Sequence, residues 1–140
     1  LLILGFQFIA VSQNFDKITQ IISSDEITYA QAAYIAAIYT GDVTNTSDEK
    51  AAFEALKTKG FFTDADDSES KINLGKMCSL FAKVTNAKGG LMYMITKKSP
   101  RYAYREFVAK GFISRTADPK KAVKGADAIG LFNSLTEGAK

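Results

Sequence analysis

The chain has no histidine, no tryptophan and a single cysteine. Histidine is the usual general base near neutral pH, the partner of serine and cysteine nucleophiles, and the commonest transition-metal ligand. Its absence removes Ser-His-Asp chemistry, Cys-His chemistry and the ordinary catalytic zinc sites. One cysteine excludes an internal disulfide and a thiolate metal cluster. Cys78 lies between Met77 and Leu80 in an apolar helical pattern and reads as a buried thiol. A glycine-rich phosphate loop, a dinucleotide fingerprint and paired carboxylates at a recognisable spacing are also missing, and Gly89-Gly90 reads as a turn. A non-enzymatic protein with no cofactor and no metal is the expectation.

Prolines are scarce and isolated, at Pro100 and Pro119, and no stretch is of low complexity. With 46% hydrophobic residues over 140 positions, the chain holds enough apolar material for one domain with one core. Long apolar runs are missing as well. A membrane-spanning helix needs about 20 consecutive apolar residues, and residues 1–12 (LLILGFQFIAVS) fall short of that. Two readings of this stretch stay open. Ala10-Val11-Ser12 before Gln13 fits a small-x-small cleavage site behind the apolar part of a secretory signal, which would place the protein in the periplasm or at the cell surface. Alternatively, 1–12 is a buried first element whose Phe6, Phe8 and Val11 point inward. Residues 13–140 form the domain on either reading.

Net charge is only +3, but it is unevenly spread. Residues 1–70 carry four Lys/Arg against eleven Asp/Glu, and residues 71–140 carry fourteen against four. Such asymmetry suggests an anionic partner for the second half or acid-to-base contacts between copies, unless folding interleaves the two halves.

Five stretches carry helical period and capping residues. Thr28 and Gln31 have the spacing of a capping box, followed by Ala30, Ala33, Tyr34, Ala37 and Ile38 on one face and Gly41 as the stop. Ser47 is the expected N-cap of a second helix that buries Ala52, Phe53 and Leu56 and ends at Gly60. Asn73 opens a third, with Leu74, Met77, Cys78, Phe81 and Val84 inward. Ser99-Pro100 opens a fourth on Ala103, Tyr104, Phe107 and Val108, closed by Gly111. The fifth runs from about 124 to 135 on Ala128, Ile129, Phe132 and Leu135. Residues 88–98 alternate like a strand but are bounded so closely by glycines that one or two helical turns fit equally.

The chain also matches itself. Residues 53–62 (FEALKTKGFF) align with 104–113 (YREFVAKGFI), each followed by a polar loop, a β-branched residue and another helix. Gly60 and Gly111 stand 51 residues apart, as do Ile72 and Val123, and a partial third copy precedes Ile27. Units of this kind cannot bury their apolar faces alone and must pack together. Glycine at 60 and 111 implies a helix C-terminus in the left-handed region, with the aromatic residue after it folding back on the preceding helix.

The pattern over 18–135 resembles the surface-layer-homology repeat of bacterial envelope proteins. In that family a helix ends in a glycine turn, an Asp- and Gly-rich loop follows, and an Ile-Thr-Arg-Ala-Glu-like segment opens the next helix. The matching segments are Ile27-Thr28-Tyr29-Ala30-Gln31, Ile72-Asn73-Leu74-Gly75-Lys76 and Val123-Lys124-Gly125-Ala126-Asp127. The family's signature arginine, which helps to bind cell-wall polymer, is replaced here by Tyr29, Leu74 and Gly125. The resemblance implies a mainly α fold and an envelope location.

Tyr93, Lys97, Lys98, Arg101, Tyr102 and Arg105 form the candidate ligand-binding surface, because arginine gives paired bonds to phosphate or carboxylate and tyrosine offers a flat face. Nucleic acid would use similar residues, but the acidic first half and small net charge argue against it. The plainer reading puts Tyr104 in the core and the cations on a solvated helix face. Asp64, Asp66, Asp67 and Glu69 lack the glycine and the closing acid of a calcium loop and read as solvated. The expectation is therefore a mainly α single domain of about five helices in two to three helix-turn-loop-helix repeats. It would be a non-catalytic envelope module that binds an anionic cell-wall polymer or an envelope protein, or else a structural subunit that self-associates or joins a larger assembly.

Overall fold

The computed structural model describes residues 16–41, 48–85 and 99–138. Among these the helices are α1 (described over 16–22), α2 (Tyr29–Thr40), α3 (Glu49–Thr58), α4 (Leu74–Thr85), α5 (Pro100–Ala109) and α6 (Gly125–Gly138). Extended pairing among the described residues is confined to two isolated antiparallel bridges, Thr28 with Lys71 and Asn73 with Ala122. Both open questions, leader or buried element at 1–12 and strand or helix at 88–98, fall outside the described residues.

Local chemistry sets the helix starts. Thr28 Oγ1 accepts from the Gln31 N–H at 3.1 Å, and Gln31 Oε1 accepts from the Thr28 N–H at 3.0 Å, a complete capping box. The α3 cap is Asp48, not Ser47: Asp48 Oδ1 accepts from the Ala51 N–H at 2.7 Å, and Ser47 lies outside the described residues. A carboxylate at this position makes a charge-assisted bond and meets the positive end of the helix dipole. Asn73 Oδ1 caps α4 through the Lys76 N–H at 2.8 Å. Helix α6 extends to Gly138, beyond the apolar residues that mark its core face. Helix α1 was not among the five expected helices, since only Ile18 and Ile21 of its short described stretch turn inward.

Three inner helices, α2, α4 and α6, meet pairwise, while α3 packs on α2 and α5 on α4. Helix α2 departs from the expected one-sided stripe. Ala30 and the whole run from Ala32 to Ala37 are buried, whereas Ile38 is 40% exposed. A helix flanked by α3, α4 and α6 has little solvent face left, so it is apolar all round. Its alanines let those neighbours approach closely.

The starts of the inner helices are tied to one another through the main chain. The Ile72 N–H donates to the Ile27 carbonyl at 3.1 Å, and the Ile27 N–H donates to the Val123 carbonyl at 2.9 Å. The first amide of each inner helix then donates into a neighbouring unit: Tyr29 to Ser70 (3.0 Å), Leu74 to Lys121 (2.9 Å) and Gly125 to Ser24 (2.9 Å). These N–H groups have no acceptor within their own helices. The three β-branched residues at the junction, Ile27, Ile72 and Val123, are all buried.

Gly60 and Gly111 have φ of +88° and +82° and form the same turn. Gly60 donates to Lys57 (2.9 Å) and Phe61 to Leu56 (3.0 Å); Gly111 donates to Val108 (3.0 Å) and Phe112 to Phe107 (2.9 Å). Both are Schellman closures. Phe112 meets Phe107 edge to face at 6.1 Å. In the first unit Phe61 is half-buried and its neighbour Phe62 takes the inner place, stacking on Phe53 at 4.6 Å and meeting the Tyr29 edge at 6.0 Å.

Two kinds of glycine follow from this. A Cβ at Gly60 or Gly111 would meet nothing within 4 Å, so only the positive φ opposes substitution. At Gly125 a Cβ would lie 1.6 Å from the Ile21 carbonyl oxygen, so the α1 backbone itself forbids it. In urea titrations, Gly60→Val and Gly111→Val should each cost about 1–2 kcal/mol from backbone strain alone. Gly125→Ala, though the smaller change, should cost about 3 kcal/mol by overpacking. Equal losses at all three positions would contradict this account.

Candidate cationic groove

Two grooves form where an inner and an outer helix begin side by side, and they are built from corresponding residues. The first, of about 550 Å³, lies between the starts of α2 and α3 and includes Gln31, Glu49, Lys50, Ser68 and Glu69. The second, of about 470 Å³, lies between the starts of α4 and α5 and includes Lys76, Pro100, Arg101, Pro119 and Lys120. Lys76 stands where Gln31 stands in the first unit, Pro100 replaces Glu49, Arg101 replaces Lys50, and Lys120 replaces Glu69. Arg105 also lines the second groove, and its counterpart 51 residues earlier is Glu54. The first groove further takes in Asp25, Glu26 and Lys71, so that four acids meet two lysines there. Among the described residues lining the second, none is acidic. The charge asymmetry of the chain is thus expressed as two like-shaped grooves of different electrostatic character.

Three cations of the second groove, Lys76, Arg101 and Arg105, have partners within the protein. Arg101 and Arg105, one helical turn apart on α5, each place the guanidinium 5.8 Å from the Tyr102 ring centre. The Tyr104 hydroxyl donates to the Ala117 carbonyl, which ties α5 to the following loop and explains why this half-buried tyrosine serves the fold. Lys76 Nζ is 3.8 Å from Asp66, an acid of the first unit's loop. Asp66 also faces the Tyr29 hydroxyl, whose pKa is raised, first by burial and then by this neighbouring charge and hydrogen bond. Among the described residues no carboxylate forms an ion pair with Arg101, Arg105 or Lys120, and the Asp118 carboxylate reaches Lys120 only through its main-chain N–H, at 2.9 Å. Pro100 begins α5 and Ser99 supplies no side-chain cap, so the positive end of that helix also faces this region.

Of the six candidate binding residues, Arg101, Tyr102 and Arg105 come together here, while Tyr93, Lys97 and Lys98 lie outside the described residues. Lys76 and Lys120 were missed. Aligning the units by charge as well as by glycine would have exposed both, because each replaces a neutral or acidic residue at a corresponding position. Among the described residues no group of three or more Cys, Asp or Glu side chains could hold a metal ion, and no helix is long and apolar enough to cross a membrane. Compared with known protein families and curated proteins, the sequence matches none.

Cys78 sits on α4 with no exposed surface, and burial pushes its thiol up to about 12. The reactive form is the thiolate. Native protein at about pH 8 should therefore resist a disulfide-exchange reagent such as Ellman's, and denatured protein should react at once, close to the ordinary cysteine range. Rapid labelling of folded protein would show that α4 opens.

Proposed function

We propose that this protein is a non-catalytic module of the bacterial cell envelope that holds an anionic polymer, or an acidic envelope partner, in the groove formed by Lys76, Arg101, Arg105 and Lys120. The observation that carries the reading is the replacement of neutral and acidic positions in one groove by cations in its counterpart. A fold that merely needed solubility would have no reason to gather charge of one sign on one of two matching surfaces. Arginines steadied on Tyr102 lose less freedom when they bind, and they offer paired donors to phosphate or carboxylate oxygens.

The envelope location rests on the likeness to surface-layer-homology repeats and on the leader-like residues 1–12. The polymer chemistry is not carried over from that family's arginine. At the matching positions Tyr29 is engaged with Asp66, Leu74 is half-buried, and Gly125 has no room for a side chain. The binding charge would come instead from the outer helix and the loop behind it. The absence of histidine supports a non-catalytic role.

Co-sedimentation with purified sacculi that retain their anionic polymers tests this. Wild-type protein should pellet at low salt and be released as salt screens the groove. Arg101→Ala/Arg105→Ala should weaken binding about tenfold or more, given roughly 1.5–3 kcal/mol per charged hydrogen bond. Equal pelleting of the variant, or none by wild type, would remove the groove as a polymer site.

A further inference from the structure

The cationic groove has a matching object on the same molecule. The loop after α3, residues 63–70 (TDADDSES), exposes Asp64, Asp67 and Glu69, the Asp64 side chain being fully exposed with one carboxylate oxygen 3.8 Å from Lys57 Nζ. Hydrogen bonds within the loop hold it in shape. The Asp66 N–H donates to the Thr63 carbonyl at 3.1 Å and the Ser70 N–H to the Asp67 carbonyl at 3.2 Å. Asp66 Oδ2 accepts from the Thr63 N–H at 2.8 Å, and the Ser70 hydroxyl donates to Asp67 Oδ2 at 2.9 Å. The corresponding loop of the second unit, 114–121 (SRTADPKK), has a single acid beside three cations. The acidic loop and the cationic groove therefore each have a counterpart in the other unit that does not share their charge, and they have opposite sign.

They also adjoin: Asp66 of the loop and Lys76 of the groove are 3.8 Å apart. An exposed acidic loop beside a basic groove suits a two-fold contact, since each copy then offers the partner's complement. We infer that two copies associate about a two-fold axis, the Asp64, Asp67 and Glu69 edge of each facing Arg101, Arg105 and Lys120 of the other. The preformed loop and the arginines held over Tyr102 reduce the ordering cost of such a contact. Its strength is electrostatic and falls with salt. It draws on the same cations as the polymer reading but on acids that the polymer reading does not use.

Analytical ultracentrifugation of the full chain tests it. At about 0.01 M salt, where charges act over about 30 Å, wild type should show a monomer-dimer equilibrium. At about 1 M salt, where the range falls to about 3 Å, it should be monomeric. Arg101→Glu/Arg105→Glu and Asp64→Lys/Glu69→Lys should each be monomeric alone at low salt, with circular dichroism showing both folded. Mixed in equal amounts, their reversed charges are again complementary and a heterodimer should form, with dissociation at least tenfold tighter than either variant shows with itself. Should a reversal unfold the chain, Arg101→Gln/Arg105→Gln and Asp64→Asn/Glu69→Gln each weaken the dimer at least tenfold on the same reading. A wild type that stays monomeric at low salt, one that grows beyond dimer, or variants that fail to restore one another overturns it. Asp64→Lys/Glu69→Lys should still bind sacculi, so failure of the dimer and failure of polymer binding are told apart.

Discussion

The first amides of the inner helices decide the rest of this structure. A helix begins with N–H groups that its own turns cannot satisfy, and here those of Tyr29, Leu74 and Gly125 are satisfied by carbonyls of a neighbouring unit, at Ser70, Lys121 and Ser24. With the links among Ile27, Ile72 and Val123, they join three chain segments far apart in sequence into one closed junction. Buried backbone donors are costly to leave unpaired, so no unit can turn independently without breaking several bonds at once. The relative placement of helix starts, and with it the shape of both grooves, follows from that closure.

A shared scaffold makes the difference in charge interpretable. Two surfaces with the same construction differ chiefly in side chains, including the Asp48 carboxylate that caps α3 where Ser99 gives α5 no side-chain cap. Gln31, Glu49 and Glu69 surround Lys50 in one; Lys76, Pro100 and Lys120 accompany Arg101 in the other. In the second groove, the contact of Asp66 with Lys76 joins an acid of the first half to a cation of the second, while Arg101, Arg105 and Lys120 form no ion pair with a described carboxylate. The described surface thus carries charge of opposite sign in neighbouring places, at the loop of Asp64, Asp67 and Glu69 and at the groove of Arg101, Arg105 and Lys120.

Several features were legible because they depend on near neighbours in sequence. The capping box at Thr28, the cap at Asn73, the proline opening α5 and the left-handed glycines 60 and 111 each involve residues within one turn of each other. The burial of Cys78 and Phe81 followed from the 3.6-residue period. The same local logic placed the α3 cap on Ser47 instead of Asp48, since both residues are good caps and a one-residue shift leaves the apolar face unchanged. It also chose Phe61 over Phe62 for the inner position, because the choice depends on where Tyr29 of another unit stands.

What the sequence determined by itself, then, was the helix inventory from α2 to α6, its punctuation, the correspondence between units and the uneven charge, all of them set by spacing along the chain. Tertiary structure alone decided that α2 would be buried on every face from Ala32 to Ala37, because enclosure depends on how many neighbours arrive and not on its own period. It alone decided that Gly125 must lack a side chain, since the obstacle is the Ile21 carbonyl on a separate helix. And it alone brought Lys76 and Lys120 beside Arg101 and Arg105, because a groove shared by two helix starts and a loop forms only when the junction between units closes.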